Sequence, residues 1–372
     1  MSVAAFERLV TAIGGRRVGL VTGPTGWVDE VGHLAMALAE RGLLSALFAP
    51  EHGIWGDAQA GDHVADATDP RLGVPVHSLY GANRKPNAEQ LADCDLLVGC
   101  LQDASSRPYT YILTLTSCLE ACFEAGKPFL LLDRPTPLGG LVRQGNVGGG
   151  RFARVPVPMR IGLTHGEYLR LTIHELGWQG DLEVVPLSDA PRSAWYDETG
   201  LMWVLPSPNL PTLDSTLAFT ATVLLEATNA SEGRGTTKPF ELLGMPGIDG
   251  WELAANLNAR GLPGVVCRPA AFVPTFSKHQ GKVCGGVQLH ITDRHTFDGP
   301  RLGLHILEAL RATGGDDFEI WPGSLRARFD DASLVDPLVT GSAAADDVWS
   351  TWPAGIAEFE DRCRAAGLSL TD

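Results

Sequence analysis

The sequence has no run of about 18 uninterrupted apolar residues, so no membrane-spanning helix is expected. Its amino-terminal stretch, "MSVAAFERLVTAIGGRRVGLVTG", is broken by Glu7, Arg8, Arg16 and Arg17 and lacks the continuous apolar core of a secretory signal. Both absences point to a cytoplasmic protein. Cysteine is sparse and odd in number, seven residues scattered among apolar neighbours, which suits reduced, buried thiols better than a disulfide framework. Cys118 and Cys122 share a helix face, but no histidine completes a zinc-like set in sequence, so packing is expected there and no metal. Positive charge is in deficit. The 29 Lys and Arg against 44 Asp and Glu give a formal −15, which repels polyphosphate and argues against nucleic acid as a partner. No GxxxxGK[ST] occurs and "GLVTGPTG" misses GxGxxG, so no nucleotide cofactor is expected. The absence of GxSxG, HExxH and CxxC argues against serine hydrolases, zinc proteases and thiol redox enzymes.

What remains is an ordinary globular chain of 372 residues, 44% hydrophobic, long enough for two domains. Four short apolar runs, Val18–Thr22, Leu43–Ala49, Leu96–Leu101 and Phe129–Leu132, are nearly continuous rather than alternating, the pattern of strands covered on both faces. Between them, Glu30–Arg41 and Tyr111–Ala125 carry helical periodicity, and Gly42 and Gly126 follow as stops. This alternation predicts a Rossmann-like parallel sheet with flanking helices. Beyond Gly150 the texture changes to a helix in "HGEYLRLTIHELG", the strand "LEVVPL", a second apolar helix over Thr216–Ala227, and mixed strands with an alternating stretch over Val287–Thr292. A helix over Leu302–Ala312 and an acidic tail are expected to complete the chain. The expected division is a Rossmann-like catalytic domain over 1–212 and a smaller α+β auxiliary domain over 213–372 that contributes to the cleft.

In a parallel sheet the carboxyl ends of all strands open on one edge, where ligands bind. The segments after the four strands read "TGPTG", "PEHGIWGD", "QDASSRPYTY" and "DRPTPLGG". They bring Glu51, His52, Asp57, Asp103, Arg107, Tyr109, Tyr111, Asp133 and Arg134 toward one expected cleft. Glu51, in a sharp Pro–Glu–His–Gly turn, is the candidate general acid, and Asp103 and Asp133 are carboxylates at neighbouring strand ends. The polar, glycine-punctuated loop "NASEGRGTTKPFE" concentrates Asn229, Ser231, Glu232, Arg234 and Lys238, and "PTFSKHQGK" adds Lys278 and His279. Trp195, Tyr196 and Trp203 suit either a sugar ring or the seam between two domains.

These same stretches, with "VHSLYGANRKP" and "WYDETGLMWVLPSPNLPTLDS", resemble the exo-β-N-acetylmuramidase (NamZ-like) family over roughly residues 18–310, in the family's order. The resemblance implies a glycosidase that releases N-acetylmuramic acid from the non-reducing end of peptidoglycan fragments, with the cleft between two domains and Glu51 as a leading catalytic candidate. Glycoside hydrolysis needs a proton donor and a second group at the anomeric carbon. Glu51 is the expected acid and Asp103 or Glu232 the second carboxylate, unless the 2-acetamido carbonyl of the sugar itself attacks. The lactyl carboxylate requires a cation, for which Arg134, Arg234 and Lys278 are the candidates. His52, Asp57, Tyr109, Tyr111, Asp133, Asn209 and Asn229 complete the expected substrate contacts. The expected partner is a small muramyl saccharide or muropeptide. A non-catalytic muropeptide-binding protein that keeps the cleft is the alternative.

Overall fold

The structure, a computed structural model, describes residues 2–59, 61, 66–81 and 83–372. Among the described residues, twelve strands follow in chain order: β1 (Val18–Thr22), β2 (Trp27–Val28), β3 (Gly32–His33), β4 (Leu44–Ala49), β5 (Ala67–Thr68), β6 (Pro75–Ser78), β7 (Leu96–Cys100), β8 (Phe129–Asp133), β9 (Leu182–Pro186), β10 (Leu242–Met245), β11 (Val265–Phe272) and β12 (Cys284–Ile291). Seven of them form the main sheet, in the order β5-β6-β4-β1-β7-β8-β9, parallel except for β5 at the edge. Every residue of β1 and β7 is buried, as continuous apolar strands between two helical layers require.

Alternate side chains fix the layers. Leu20, Leu47, Val98 and Leu130 pack against the helices Ser2–Ile13 and Leu34–Glu40. Val21, Phe48, Leu97 and Phe129 point the other way, toward the helices Tyr111–Glu124 and His165–Leu176. Gly19 keeps this interior tight, because a Cβ there would lie 2.5 Å from Leu97 and 2.8 Å from Phe48.

Two sequence expectations are corrected. The helix expected from Glu30 begins only at Leu34, because Glu30 and Gly32 take left-handed φ values of 67° and 93° in the turn between β2 and β3. His33 then caps the helix, its Nδ1 accepting from the Ala35 N–H at 3.3 Å. The expected acidic tail is also structured. After the helix Gly299–Gly314 come Pro322–Phe329, Ala332–Thr340, Ala345–Trp349 and Trp352–Ala365. The last of these returns to the first core. Phe359 and Cys363 are fully buried beside Tyr168 and Leu171, and Arg362 pairs with Glu175 at 2.7 Å.

The second half is built on a three-stranded antiparallel sheet, β10-β12-β11, covered by helices with a core of its own. Arg107 joins the two halves. Its guanidinium is fully buried and donates to the carbonyls of Asn146 and Val157, both at 2.8 Å, and to the Asn146 side chain at 2.9 Å. It also donates to the carbonyls of Arg328 and Phe329, the carboxyl end of the helix Pro322–Phe329, where a cation complements the helix dipole. Burial pushes its pKa down to about 9 against the opposing pull of Asp330. Arg107, expected to face the cleft, is instead consumed by the domain junction.

Asp133, expected in the cleft, closes the far side of the sheet. Its carboxylate accepts from the Thr164 hydroxyl at 2.7 Å and the Gly166 N–H at 3.0 Å, so it anchors the amino terminus of the helix His165–Leu176. Burial pushes its pKa up to about 6, although both hydrogen bonds pull the other way.

Two outcomes follow from these anchors. Arg107→Met leaves several buried carbonyls without a donor and is expected to cost about 3–5 kcal/mol in chemical denaturation; a loss under about 1 kcal/mol would contradict the junction role. The native state favours protonated Asp133, so that contribution is present at low pH and is lost as pH rises through about 6. The stability advantage of wild type over Asp133→Asn is therefore expected to shrink between about pH 4 and pH 7, and an advantage that grows over that window would refute the assignment.

Candidate active site

Strand β4 delivers its last residue, Ala49, to the carboxyl edge of the sheet, and the chain reverses at once through Pro50–Gly53. His52 takes φ 75° and Gly53 φ 76°, a left-handed pair that is costly for histidine and persists only if the surroundings hold it. They do hold it: the Gly53 N–H donates to the Pro50 carbonyl at 3.1 Å, and the buried His52 ring lies with its Nδ1 3.0 Å from the Ala58 carbonyl. The reward for this turn is the placement of Glu51. Its Oε2 accepts from the Thr110 hydroxyl at 2.9 Å, at the amino end of the helix Tyr111–Glu124, and its Oε1 accepts from the Gly61 N–H at 3.1 Å. Tyr111 donates to its backbone carbonyl at 3.1 Å. Tyr80 lines the same cavity, and burial together with the nearby Glu51 charge pushes its phenol up to about 12.

Glu51 lines a cavity of about 970 Å³ between the two halves of the chain. A row of edge-on rings forms part of its wall and crosses the boundary. Tyr111 meets Tyr109 at 4.8 Å, Tyr109 meets Phe219 at 6.3 Å, and Phe219 meets Phe240 at 4.8 Å. Another part of the wall is a ladder of alternating charge. Lys278 pairs with Glu232 at 2.9 Å, Glu232 with Arg234 at 3.1 Å, Arg234 with Glu226 at 2.7 Å, and Glu226 with Arg328 at 2.6 Å. Burial would raise the Glu226 carboxyl's pKa, but Arg328 and Arg234 outweigh it and hold it below the usual range. Arg234 also stacks its guanidinium 5.0 Å from the Phe240 ring centre.

Of the residues expected from the sequence, the structure brings Glu51, His52, Tyr109, Glu232, Arg234 and Lys278 to this cavity. The others lie elsewhere. Asp57 is exposed beside the turn, and Tyr111 is buried behind Tyr109. Asp103 is buried away from the cavity, its Oδ2 3.2 Å from His165 Nε2. Asp133 caps a helix, as described. Arg134 is buried and fully engaged with Gln102, the Trp27 carbonyl and the Tyr196 hydroxyl at 3.0, 2.9 and 2.7 Å. Asn209 is buried one layer back and reaches Gln59, which does line the cavity, at 3.2 Å. Asn229 braces the loop after the helix Gly299–Gly314, bonding the Asp317 carbonyl at 2.8 Å and the Glu319 N–H at 3.0 Å. The tryptophans also resolve: Trp195 is buried between Arg160 and Arg294, with ring distances of 5.1 and 4.6 Å, at the seam between the halves rather than under a ligand.

Sequence reasoning missed Tyr80, Thr110, Glu226 and Arg328. The first two flank segments already marked, and polar residues following β6 and preceding a helix could have flagged them. Nothing in the sequence signals Arg328, which reaches the cavity from a helix inside the expected acidic tail. Among the described residues, no group of three or more His, Cys, Asp or Glu is placed to hold a metal ion.

Comparison with known proteins points to one family. The family described as exo-β-N-acetylmuramidase NamZ matches through its N-terminal part over residues 18–214 and its C-terminal part over residues 217–368. Peptidoglycan β-N-acetylmuramidase NamZ of Bacillus subtilis is 46% identical over 311 residues, covering 82% of this chain and 75% of the relative. A crystal structure of a DUF1343 family protein from Bacteroides fragilis superposes with a TM-score of 0.87 at 29% identity, covering 98% of this chain and 96% of that one. A second DUF1343 protein from the same organism, at 23% identity and a TM-score of 0.76 over 97% of this chain and 96% of that one, shares the fold. With both family segments matched along nearly its whole length, the chain belongs to the exo-β-N-acetylmuramidase NamZ family.

Proposed function

We infer that the protein is an exo-acting β-N-acetylmuramidase, a glycosidase that removes N-acetylmuramic acid from the non-reducing end of peptidoglycan-derived fragments, and that Glu51 exchanges the proton with the glycosidic oxygen. One observation carries the role of Glu51. Of the three carboxylates that line the cavity among the described residues, Glu226 and Glu232 are each locked between two cations, whereas Glu51 is held by neutral donors, the Gly61 N–H and the Thr110 hydroxyl. A carboxyl clamped by two cations is a poor proton donor, because surrendering its negative charge forfeits both ion pairs. A carboxyl on neutral donors can change protonation state within a catalytic cycle.

The same accounting bears on the second catalytic group. Asp103 lies behind the wall, paired with His165, and Glu232 has both oxygens occupied. Neither is free to attack an anomeric carbon. The 2-acetamido carbonyl of the muramyl residue is then the internal nucleophile, with Glu51 first protonating the leaving oxygen and then activating water. Glu232 acts on the protein, holding Lys278 and Arg234 in the wall.

For location, all seven cysteines are unpaired, buried thiols, which supports a reducing compartment, and no helix among the described residues is long and apolar enough to cross a membrane. Cell fractionation decides the compartment.

Glu51→Gln is expected to lower kcat by about 10²–10⁴-fold on a defined muramyl disaccharide or a chromogenic N-acetylmuraminide, with substrate binding retained. Wild-type turnover by that variant would remove Glu51 from the chemistry. Asp103→Asn is expected to stay within about tenfold of wild type, and a loss as deep as that of Glu51→Gln would return Asp103 to the role of second carboxylate.

A further inference from the structure

A muramyl residue differs from a glucosaminyl residue by its lactyl carboxylate, and the cations expected to take that group are already engaged. Arg134 is spent on Gln102, Trp27 and Tyr196. Arg234 and Arg328 are bound to Glu226, and Lys278 to Glu232 and the carbonyls of Leu225 and Ala230 at 2.6 and 2.9 Å. Two further cations line the cavity, Arg84 and Arg151. Neither forms a hydrogen bond or an ion pair among the described residues.

Their neighbours show that this is not the general condition of these loops. Lys85, next to Arg84, pairs with Glu120 at 3.1 Å and Glu124 at 2.7 Å, and Arg154, three residues after Arg151, also pairs with Glu120. Each loop thus uses one cation to fasten itself to the helix Tyr111–Glu124 and presents the other to the cavity. The loop bearing Arg151 is fixed a second time, since the Gly149 N–H donates to Asp330 of the second half at 3.0 Å. Both arginines lie close enough to Tyr80 for their charge to act on its phenol, as the Glu51 charge does, and all four side chains line the same cavity. The unpaired positive charge is therefore gathered on the Glu51 side of the cavity, where the sugar being cleaved must sit. With five cations against three carboxylates along the wall, the cavity is locally positive in a chain of formal charge −15.

We propose that Arg84 and Arg151 together bind the lactyl carboxylate of the muramyl residue and so select it over an N-acetylglucosaminyl residue. This rests on the muramidase reading above. A guanidinium fork matches a carboxylate geometrically, and two of them can donate to both carboxylate oxygens when the ligand enters and displaces water.

The test compares wild type with Arg84→Gln/Arg151→Gln on two chromogenic substrates, N-acetylmuraminide as the free acid and as its lactyl methyl ester. Wild type is expected to prefer the acid. In the double variant the acid-to-ester ratio of kcat/KM is expected to fall about 10- to 100-fold, through KM rather than kcat, and the preference should weaken with added salt. A ratio unchanged from wild type would overturn the assignment. Failure of wild type to cleave either substrate would instead overturn the muramidase reading and the proposal with it. If the double variant does not fold, each single variant is read by the same ratio, and an unchanged ratio in both overturns it.

Discussion

The Arg107 guanidinium is the constraint on which the rest of the structure depends. It sits without solvent contact between the first half of the chain and the carboxyl end of the helix Pro322–Phe329, donating to backbone carbonyls on both sides. A buried guanidinium is costly unless hydrogen-bonded, and both terminal nitrogens of Arg107 are bonded although its Nε is not, which favours this arrangement of the two halves. That arrangement sets the position of Arg328, whose own carbonyl is one of the acceptors and whose side chain ends the charge ladder in the cavity wall. It also brings Asp330 to the loop that carries Arg151. Domain placement and cavity composition are thus fixed by one set of hydrogen bonds.

Within that frame the cavity separates two kinds of carboxylate. On the second half, Glu226 and Glu232 each pair with two cations, making a wall of alternating charge. On the first half, Glu51 rests on neutral donors in a strained turn. The division follows from the origins of the two surfaces. The turn after β4 projects from a sheet edge where backbone N–H groups and hydroxyls are the available donors, and the facing loop carries Arg and Lys within a few residues of Glu. A glycosidase needs both, since binding requires a fixed polar surface and proton transfer requires a group free to change charge.

The edge-on rings Tyr111, Tyr109, Phe219 and Phe240 connect these surfaces through apolar contact. Tyr111 touches the Glu51 backbone, and Phe240 carries Arg234 on its face, so the Glu51 turn and the charge ladder are linked through one packed row. Such a row resists relative motion of the halves beside the cavity, because displacing any ring opens a void beside its neighbour.

The sequence by itself determined the parallel sheet, the sharp turn that isolates Glu51, the charged loop around Glu232 and Arg234, and the thiols without partners. These are local matters: strand burial, turn chemistry and apolar periodicity are written within a few residues. Only the tertiary structure decided which polar groups reach the cavity. Asp103, Asp133 and Arg134 follow strands as Glu51 does, yet each turns inward to a partner supplied by a distant segment: His165, the Thr164–Gly166 helix start, and Tyr196. Arg328 and Arg151 become cavity residues only because the last helices fold back on the first domain. A side chain's role at a sheet edge depends on what arrives opposite it, and contacts between residues 31 to 181 positions apart leave no periodicity in the sequence.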